Sequence, residues 1–180
     1  MKELIVFIVL NLVFLMHGDS VLAVNPITSP TPTPTKTVDY ALPYPGILPD
    51  HPLYFLKALR DRILGWVISD PIKKVEFNLL MADKRLAMGS LLFDEGKKDL
   101  ALTTVSKGEK YFDQAVSNLM IARGVSKDSA SVLAVRLNKA AQKHEEVIKD
   151  LMSKDIQRQA QWQAFLVLLG RQIQDLEKIK

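Results

Sequence analysis

The chain has 180 residues, of which 48% are hydrophobic and 24% charged, and it contains no cysteine. This composition excludes collagen-like, disulfide-stapled and wholly disordered proteins, and the charged content is too high for a protein that crosses a membrane several times. The formal net charge is only +4 and both signs are interspersed along the second half, so no nucleic-acid partner is expected.

Residues 1–23 have the layout of a signal peptide. An apolar run from Leu4 to Met16 precedes a polar patch and the ending Val21-Leu22-Ala23, whose side chains suit a signal peptidase. The run is too short for a helix that crosses a hydrocarbon layer of ~30 Å. We therefore expect export, with cleavage before Val24. The alternative is an uncleaved N-terminal anchor, because a glutamate offsets the single lysine that precedes the run.

A proline-rich spacer follows over residues 24–39. Prolines stand at positions 26, 30, 32 and 34, mostly between threonines and serines. Such a stretch buries too little apolar surface to fold, so we expect a disordered linker of polyproline II character. The folded domain is then expected over residues 40–180.

A second group of prolines predicts an ordered turn before the first helix. Asp50 and Pro52 are interpreted as the helix cap and a first-turn proline. The turn is a candidate interaction site, made of Pro45, Gly46, Leu48, Pro49, Asp50, Pro52, Leu53 and Tyr54. We expect it to be a strap that buries Leu48, Leu53 and Tyr54 against the bundle, and the alternative is an exposed recognition loop.

This turn also carries a resemblance to a known family. Residues 42–57, which include Pro-Gly-x-Leu-Pro-Asp-x-Pro-Leu-Tyr at 45–54, together with Arg60-Asp61-Arg62 and Ala82 to Ala87, resemble the bacterial domain of unknown function DUF5667. The similarity continues at His144 to Ile148 and covers most of residues 40–175. The resemblance implies an exported or membrane-facing all-helical domain, and it brings no established activity and no catalytic residue.

The spacing of apolar residues predicts an all-α fold, an antiparallel bundle of four to five helices. The first helix is expected to run to about Ser69, with one stripe formed by Leu53, Leu56, Leu59, Ile63 and Val67. The second helix opens at the cap Asp70 and stops at Gly96. The third opens at the cap Asp99 and ends at Gly124.

The remaining chain predicts a fourth helix capped by Ser126 and a fifth whose apolar positions begin at Ile156. Only Ser153-Lys154-Asp155 separates them, without glycine or proline. The alternative is therefore one continuous helix over residues 127–180.

The second and third helices predict their own register. If they fold back at Gly96, facing residues have numbers that sum to 194, and six of the seven layers then pair a large residue with a small one. Gly89 faces Val105 and Gly108 faces Leu86 in this register. Such alternation lets the two backbones approach closely.

The sequence contains no recognisable catalytic constellation. Because it has no cysteine and, after cleavage, only His51 and His144, thiol catalysis and histidine-rich metal sites are excluded. We assign no catalytic, cofactor-binding or metal-binding residue, expect no cofactor, and predict that the protein is not an enzyme. His144 is interpreted as a hydrogen-bonded core or edge histidine, and Trp66 and Trp162 as core or interface anchors.

These observations predict an exported, non-enzymatic helical domain that acts as a structural or protein-interaction module of the cell envelope. Its partner would be an envelope protein or polymer of unknown identity, and membrane association would occur only through an uncleaved N-terminus. The alternative is a membrane-tethered sensory or regulatory ectodomain.

Overall fold

The structure is a computed structural model that describes residues 38–179. Five α-helices follow in chain order: α1 (Tyr54–Val67), α2 (Pro71–Asp94), α3 (Lys98–Val125), α4 (Lys127–Lys154) and α5 (Gln159–Glu177), with a 3-10 turn at Ile156–Arg158. The helices pack against one another and this part of the chain has no strand, so the predicted all-α bundle is confirmed. The predicted signal segment and nearly all of the linker lie outside the described residues.

The α2–α3 hairpin forms the centre of the bundle. Asp70 caps α2 through its Oδ1, which accepts the Lys73 amide at 3.0 Å, as predicted. Gly96 ends the helix with φ +80°, in the left-handed region that glycine enters without strain. A Cβ built on Gly89 would lie 2.3 Å from Val105 Cγ2. The predicted register is therefore confirmed at this layer.

The second glycine layer agrees with the first. A Cβ on Gly108 would lie 3.1 Å from Arg85 Cβ, 3.2 Å from the Ala82 carbonyl oxygen and 3.5 Å from the Leu86 amide nitrogen. The α2 backbone passes so close to this glycine that a Cβ there would be tighter than an ordinary van der Waals contact. Close approach of this kind increases dispersion contacts along the whole hairpin.

The break between α4 and α5 is real, so the alternative of one long helix is wrong. Ser126 caps α4, as predicted, by accepting the Ser129 amide at 3.4 Å. At the other end, the buried Asp155 accepts the Trp162 indole N–H at 3.1 Å and pairs with Arg158 at 3.2 Å. These bonds hold the chain in a 3-10 turn. Ile156 lies in that turn and is exposed, so its predicted place on the apolar face of the fifth helix is wrong.

Two predicted helix caps are wrong. The helix α1 begins at Tyr54, and Asp50 does not cap it but forms an ion pair with Lys97 in the α2–α3 turn. Asp99 lies inside the first turn of α3, where it pairs with Arg158 at 2.6 Å. In both cases the carboxylate is bound by a cation from a distant part of the chain, which local spacing does not reveal.

None of the described helices is long and apolar enough to cross a membrane. The core is continuous across α2, α3, α4 and α5, and its largest fully buried side chains include Trp162, Phe112, Leu86 and Leu137. The helix α1 contributes no apolar residue to this buried core, and its only buried residue is Asp61.

Candidate functional site

The first helix is oriented with its apolar face toward solvent. Trp66 is 87% exposed and Phe55 is 64% exposed, and three aliphatic residues of the helix are at least half exposed. We call this set the outer face of α1, and it consists of Phe55, Leu56, Leu59, Trp66 and Val67. The predicted stripe of α1 is thus largely on the surface, and Trp66 is not a core residue.

The outer face occupies one side of the helix. At 100° per residue, its five members fall within an arc of about 120° around the helix axis. Arg62 lies next to one border of the arc and Arg60 next to the other. Both arginine residues are exposed, but Arg60 is paired with Asp61, so the net positive charge lies at the border formed by Arg62.

The opposite face of α1 lies against the bundle and mixes apolar residues, such as Leu64, with Lys57 and Asp61. Asp61 is buried and pairs with Arg60 at 2.8 Å. Lys57 is half-buried and donates to the carbonyl oxygens of Pro45 at 2.8 Å and Ile47 at 3.1 Å. Burial is the largest cause that lowers the pKa of Lys57 to about 8, and nearby cationic side chains act in the same direction while Asp61 opposes them.

Contacts with α2 hold α1 in this orientation. A Cβ on Gly65 would lie 2.9 Å from Phe77 Cε1, so the two helices approach closely there. The Lys74 ammonium donates to the Gly65 carbonyl oxygen and, at 3.4 Å, to that of Ile68. These carbonyls belong to the last turn of α1, where a cation satisfies groups left without helical partners. These contacts hold the other side of α1 against the bundle, so the apolar strip faces solvent.

The eight residues of the predicted interaction motif lie in the turn and the start of α1, and they differ in exposure. Pro45 is buried, and Gly46 adopts φ +72°. Gly46, Leu48, Pro49 and Tyr54 are partly buried, and Leu48 also packs against the core. Asp50, Pro52 and Leu53 are exposed.

The strap interpretation holds for only part of the turn. Leu53 is 47% exposed, so the expectation that it is buried is wrong. Leu48 and Tyr54 are partly covered, as a strap requires. The turn continues into α1, so its exposed end and the outer face of α1 form neighbouring parts of one surface.

The segment before the turn is bound to the bundle by two long-range hydrogen bonds. The Val38 amide donates to Glu146 Oε2 on α4 at 2.8 Å. The Tyr40 hydroxyl donates to Asp83 Oδ2 on α2 at 2.6 Å. Contacts with the bundle therefore include residue 38, which lies before the predicted domain boundary at residue 40.

Tyr40 covers a buried ionic cluster that joins three helices. His144 on α4 is fully buried, and its Nε2 lies 3.0 Å from Asp83 Oδ1 on α2. Its Nδ1 lies 2.8 Å from Glu109 Oε1 on α3. The His144 ring also packs on Phe112, with 5.0 Å between ring centroids. The interpretation of His144 as a hydrogen-bonded core residue is confirmed.

The charges of this cluster depend on the balance between burial and pairing. Burial lowers the pKa of His144, but the two carboxylates outweigh it and raise the pKa to about 9. His144 is therefore an imidazolium at neutral pH. Burial and the bond to Asp83 also raise the pKa of the Tyr40 hydroxyl, which stays protonated as a donor.

The cluster is arranged for structure rather than for chemistry. Both imidazole nitrogens are occupied by carboxylates, and no path leads a substrate to a side chain with zero exposure. Across residues 38–179, no group of histidine and acidic residues is placed to hold a metal ion. An open groove of about 420 Å³ between α3 and α5 is lined in part by Ser106, Lys107, Lys110 and Phe165, with no carboxylate or imidazole.

Sequence reasoning missed the partners of His144, although a signal was present. Asp83 and Glu109 each follow directly after a small residue of the α2–α3 interface. In the register that sums to 194, their neighbours Ala82 and Gly108 face Phe112 and Leu86, one turn apart. Asp83 and Glu109 therefore each lie one position from the closely packed interface, and His144 lies on the apolar seam of a third helix. This combination indicates a buried ion pair.

The family model of DUF5667, a domain of unknown function, matches residues 46–158. The match extends from the turn through α1 to α4 and ends at the 3-10 turn. No curated protein and no solved structure matches the chain significantly.

Proposed function

The chain belongs to the DUF5667 family, and from that premise we propose that it is an exported, non-enzymatic module of the cell envelope that acts by binding through the outer face of α1. The observation that carries this proposal is the orientation of α1. The side that carries Asp61 and Lys57 lies against the bundle, and five large apolar side chains of the other side are exposed. Exposed apolar strips of this kind mark binding surfaces, since leaving them in water costs free energy that the fold alone does not recover.

Export is supported by the sequence of the N-terminal segment. The short apolar run and its Val21-Leu22-Ala23 ending fit a cleaved signal peptide, and the proline-rich spacer would hold the bundle away from the point where the chain emerges. The non-enzymatic part of the proposal is supported by His144, because this buried histidine is enclosed by two carboxylates and has no access to solvent.

Site-specific crosslinking in the living host cell tests the proposal. A photoreactive amino acid replaces Phe55 in the full chain, and a second variant carries it at Val132 on α4, which is 71% exposed and serves as the matched control. We expect crosslinks to an envelope component at position 55 and none at position 132. Equal crosslinking at the two positions, or none at position 55, would contradict a binding role for the outer face.

The tethered regulatory ectodomain is the second proposal. It is favoured by one observation, the weak positive charge before the apolar run, where Glu3 offsets Lys2. The two proposals differ in the state of the N-terminus. Cell fractionation separates them, because a cleaved chain leaves the membrane at high salt, whereas an anchored chain is released only by detergent.

A further inference from the structure

We infer that the outer face of α1 docks on the surface of an anionic phospholipid bilayer, with the helix axis parallel to the membrane plane. This inference rests on the proposed function and names its partner. The sequence alone gave reason to expect membrane contact only through an uncleaved N-terminus. The orientation of α1 adds a second contact that the apolar pattern does not reveal.

The composition of the outer face is that of an interfacial helix. Trp66 and Phe55 are the side chains that bilayer interfaces favour, and Leu56, Leu59 and Val67 supply aliphatic surface for the acyl boundary. A helix of 14 residues is about 21 Å long, which is less than the hydrocarbon thickness of ~30 Å. The helix can therefore lie in the interface but cannot span the bilayer.

The charge at the border of the strip indicates the charge of the lipid. Arg60 and Arg62 stand on opposite sides of the apolar arc, but Arg60 is paired with Asp61 at 2.8 Å, which balances its charge. Arg62 is exposed and is the cation that would meet the headgroups around a half-immersed helix. Asp61, the one acid of α1, is only 4% exposed, so the surface of α1 presents apolar groups and one net positive charge.

The way α1 is held favours docking without rearrangement. Lys57 and Lys74 anchor the helix by donating hydrogen bonds to backbone carbonyls, and Phe77 packs on Gly65. The side of α1 that faces the bundle therefore already has its contacts within the protein. An interfacial peptide must fold when it binds, and it loses conformational entropy in doing so. In this chain α1 is already helical and positioned, which leaves more of the burial free energy for binding.

Depth-dependent quenching of tryptophan fluorescence tests the inference on the full chain. The sequence has two tryptophans, Trp66 on the outer face and Trp162 at zero exposure in the core. Vesicles of phosphatidylglycerol and phosphatidylcholine that carry brominated acyl chains should quench Trp66 and leave Trp162 unquenched. The Trp66→Phe variant identifies the signal of each tryptophan, and this readout reports α1 even if the N-terminal apolar run also binds lipid.

Two pairs of variants test the apolar and cationic parts separately. Leu59→Glu should reduce the vesicle affinity reported by Trp66 by about tenfold or more, whereas Val132→Glu, the same kind of change on α4, should leave it unchanged. Arg62→Gln should reduce the vesicle affinity about fivefold on anionic vesicles and leave it unchanged on pure phosphatidylcholine. Lys127→Gln should not change the affinity for either kind of vesicle. Thermal denaturation of each variant verifies that it folds.

Three outcomes would overturn the inference. Trp66 quenching that is absent, or equal in Leu59→Glu and wild type, would show that the outer face does not enter the bilayer. Equal quenching by neutral and anionic vesicles would remove the role of Arg62. A lipid-free dimer in sedimentation that Leu59→Glu abolishes would assign the face to a second copy of this chain. If position 55 crosslinks to an envelope protein while Trp66 is not quenched, the proposed binding function stands and the lipid assignment falls.

Discussion

Raising the pH above about 6 should destabilise this protein through the buried His144. The pKa of His144 is raised from 6.5 to about 9 in the folded chain by Asp83 and Glu109, against the opposing effect of burial. A group with a raised folded-state pKa contributes stability that is fully present below its unfolded pKa. That contribution is lost as the pH rises through the folded pKa.

The expected loss is largest between pH 6.5 and 9. A difference of about 2.5 between the two pKa values corresponds to about 3 kcal/mol over the whole interval. About 2 kcal/mol of this is lost between pH 5.5 and 8. The half-buried Lys57 opposes this loss as the pH approaches 8, because its pKa is lowered to about 8 and its loss of charge stabilises the folded chain. The fall between pH 5.5 and 7.25 therefore reports mainly His144, and the fall up to pH 8 should be smaller than His144 alone would give.

Urea denaturation at pH 5.5, 6.5, 7.25 and 8 measures this loss as a fall in the free energy of unfolding. The matched control is the double variant Asp83→Asn, Glu109→Gln, which keeps the shape of the cluster and removes both carboxylates. In this variant burial alone acts on His144 and lowers its pKa, so the free energy of unfolding should not fall over the same interval.

The reasoning is refuted if the wild-type free energy of unfolding is flat from pH 5.5 to 8, or if wild type and double variant fall in parallel. If the double variant does not fold, an NMR titration of the His144 imidazole in the wild-type chain tests the same reasoning. A midpoint of that resonance below pH 7 would show that the two carboxylates do not hold the proton.

Three further predictions concern packing and processing. Gly89→Ala should lower the free energy of unfolding by about 1–3 kcal/mol, because the new methyl would lie 2.3 Å from a methyl of Val105. The control Gly170→Ala, which has nothing within 4 Å, should raise the free energy of unfolding by about 0.5–1 kcal/mol. Equal values for the two variants in chemical denaturation would contradict the register. Leu48→Ala should lower the free energy of unfolding by about 1–2 kcal/mol, and Leu53→Ala, at an exposed position, by less than about 0.5 kcal/mol. Denaturation midpoints measure both changes, and equal midpoints would show that the turn is not docked on the bundle. N-terminal sequencing of the exported protein should begin at Val24, and an intact initiator methionine would favour the tethered ectodomain.

Local patterns predicted the helices well where the signal was local. Asp70 and Ser126 cap the helices that their positions predicted, and Gly96 ends α2. Capping depends on hydrogen bonds within three or four residues, so it is visible in sequence. Asp50 and Asp99 had the same local signature but are bound by Lys97 and by a distant arginine, and a residue's competing partners are not visible in its neighbours.

The sequence by itself determined the architecture of the α2–α3 hairpin. Large residues face small ones along two regular seams, and a short turn leaves one register that fills every layer, which the close contacts at Gly89 and Gly108 confirm. Hydrophobic spacing and layer volume are properties of two neighbouring segments. They could therefore be predicted without knowledge of the rest of the fold.

Only the tertiary structure decided which face of α1 is covered. The pattern of α1 is amphipathic, and such a pattern favours burial of the apolar side. The bundle instead binds the other side, because Lys74 donates to the last carbonyls of α1, Lys57 donates to those of the turn, and Phe77 packs on Gly65. The Asp83–His144–Glu109 cluster likewise needed three helices to meet. A polar group is buried only where distant segments complete its hydrogen bonds, and that completion exists only in the folded chain.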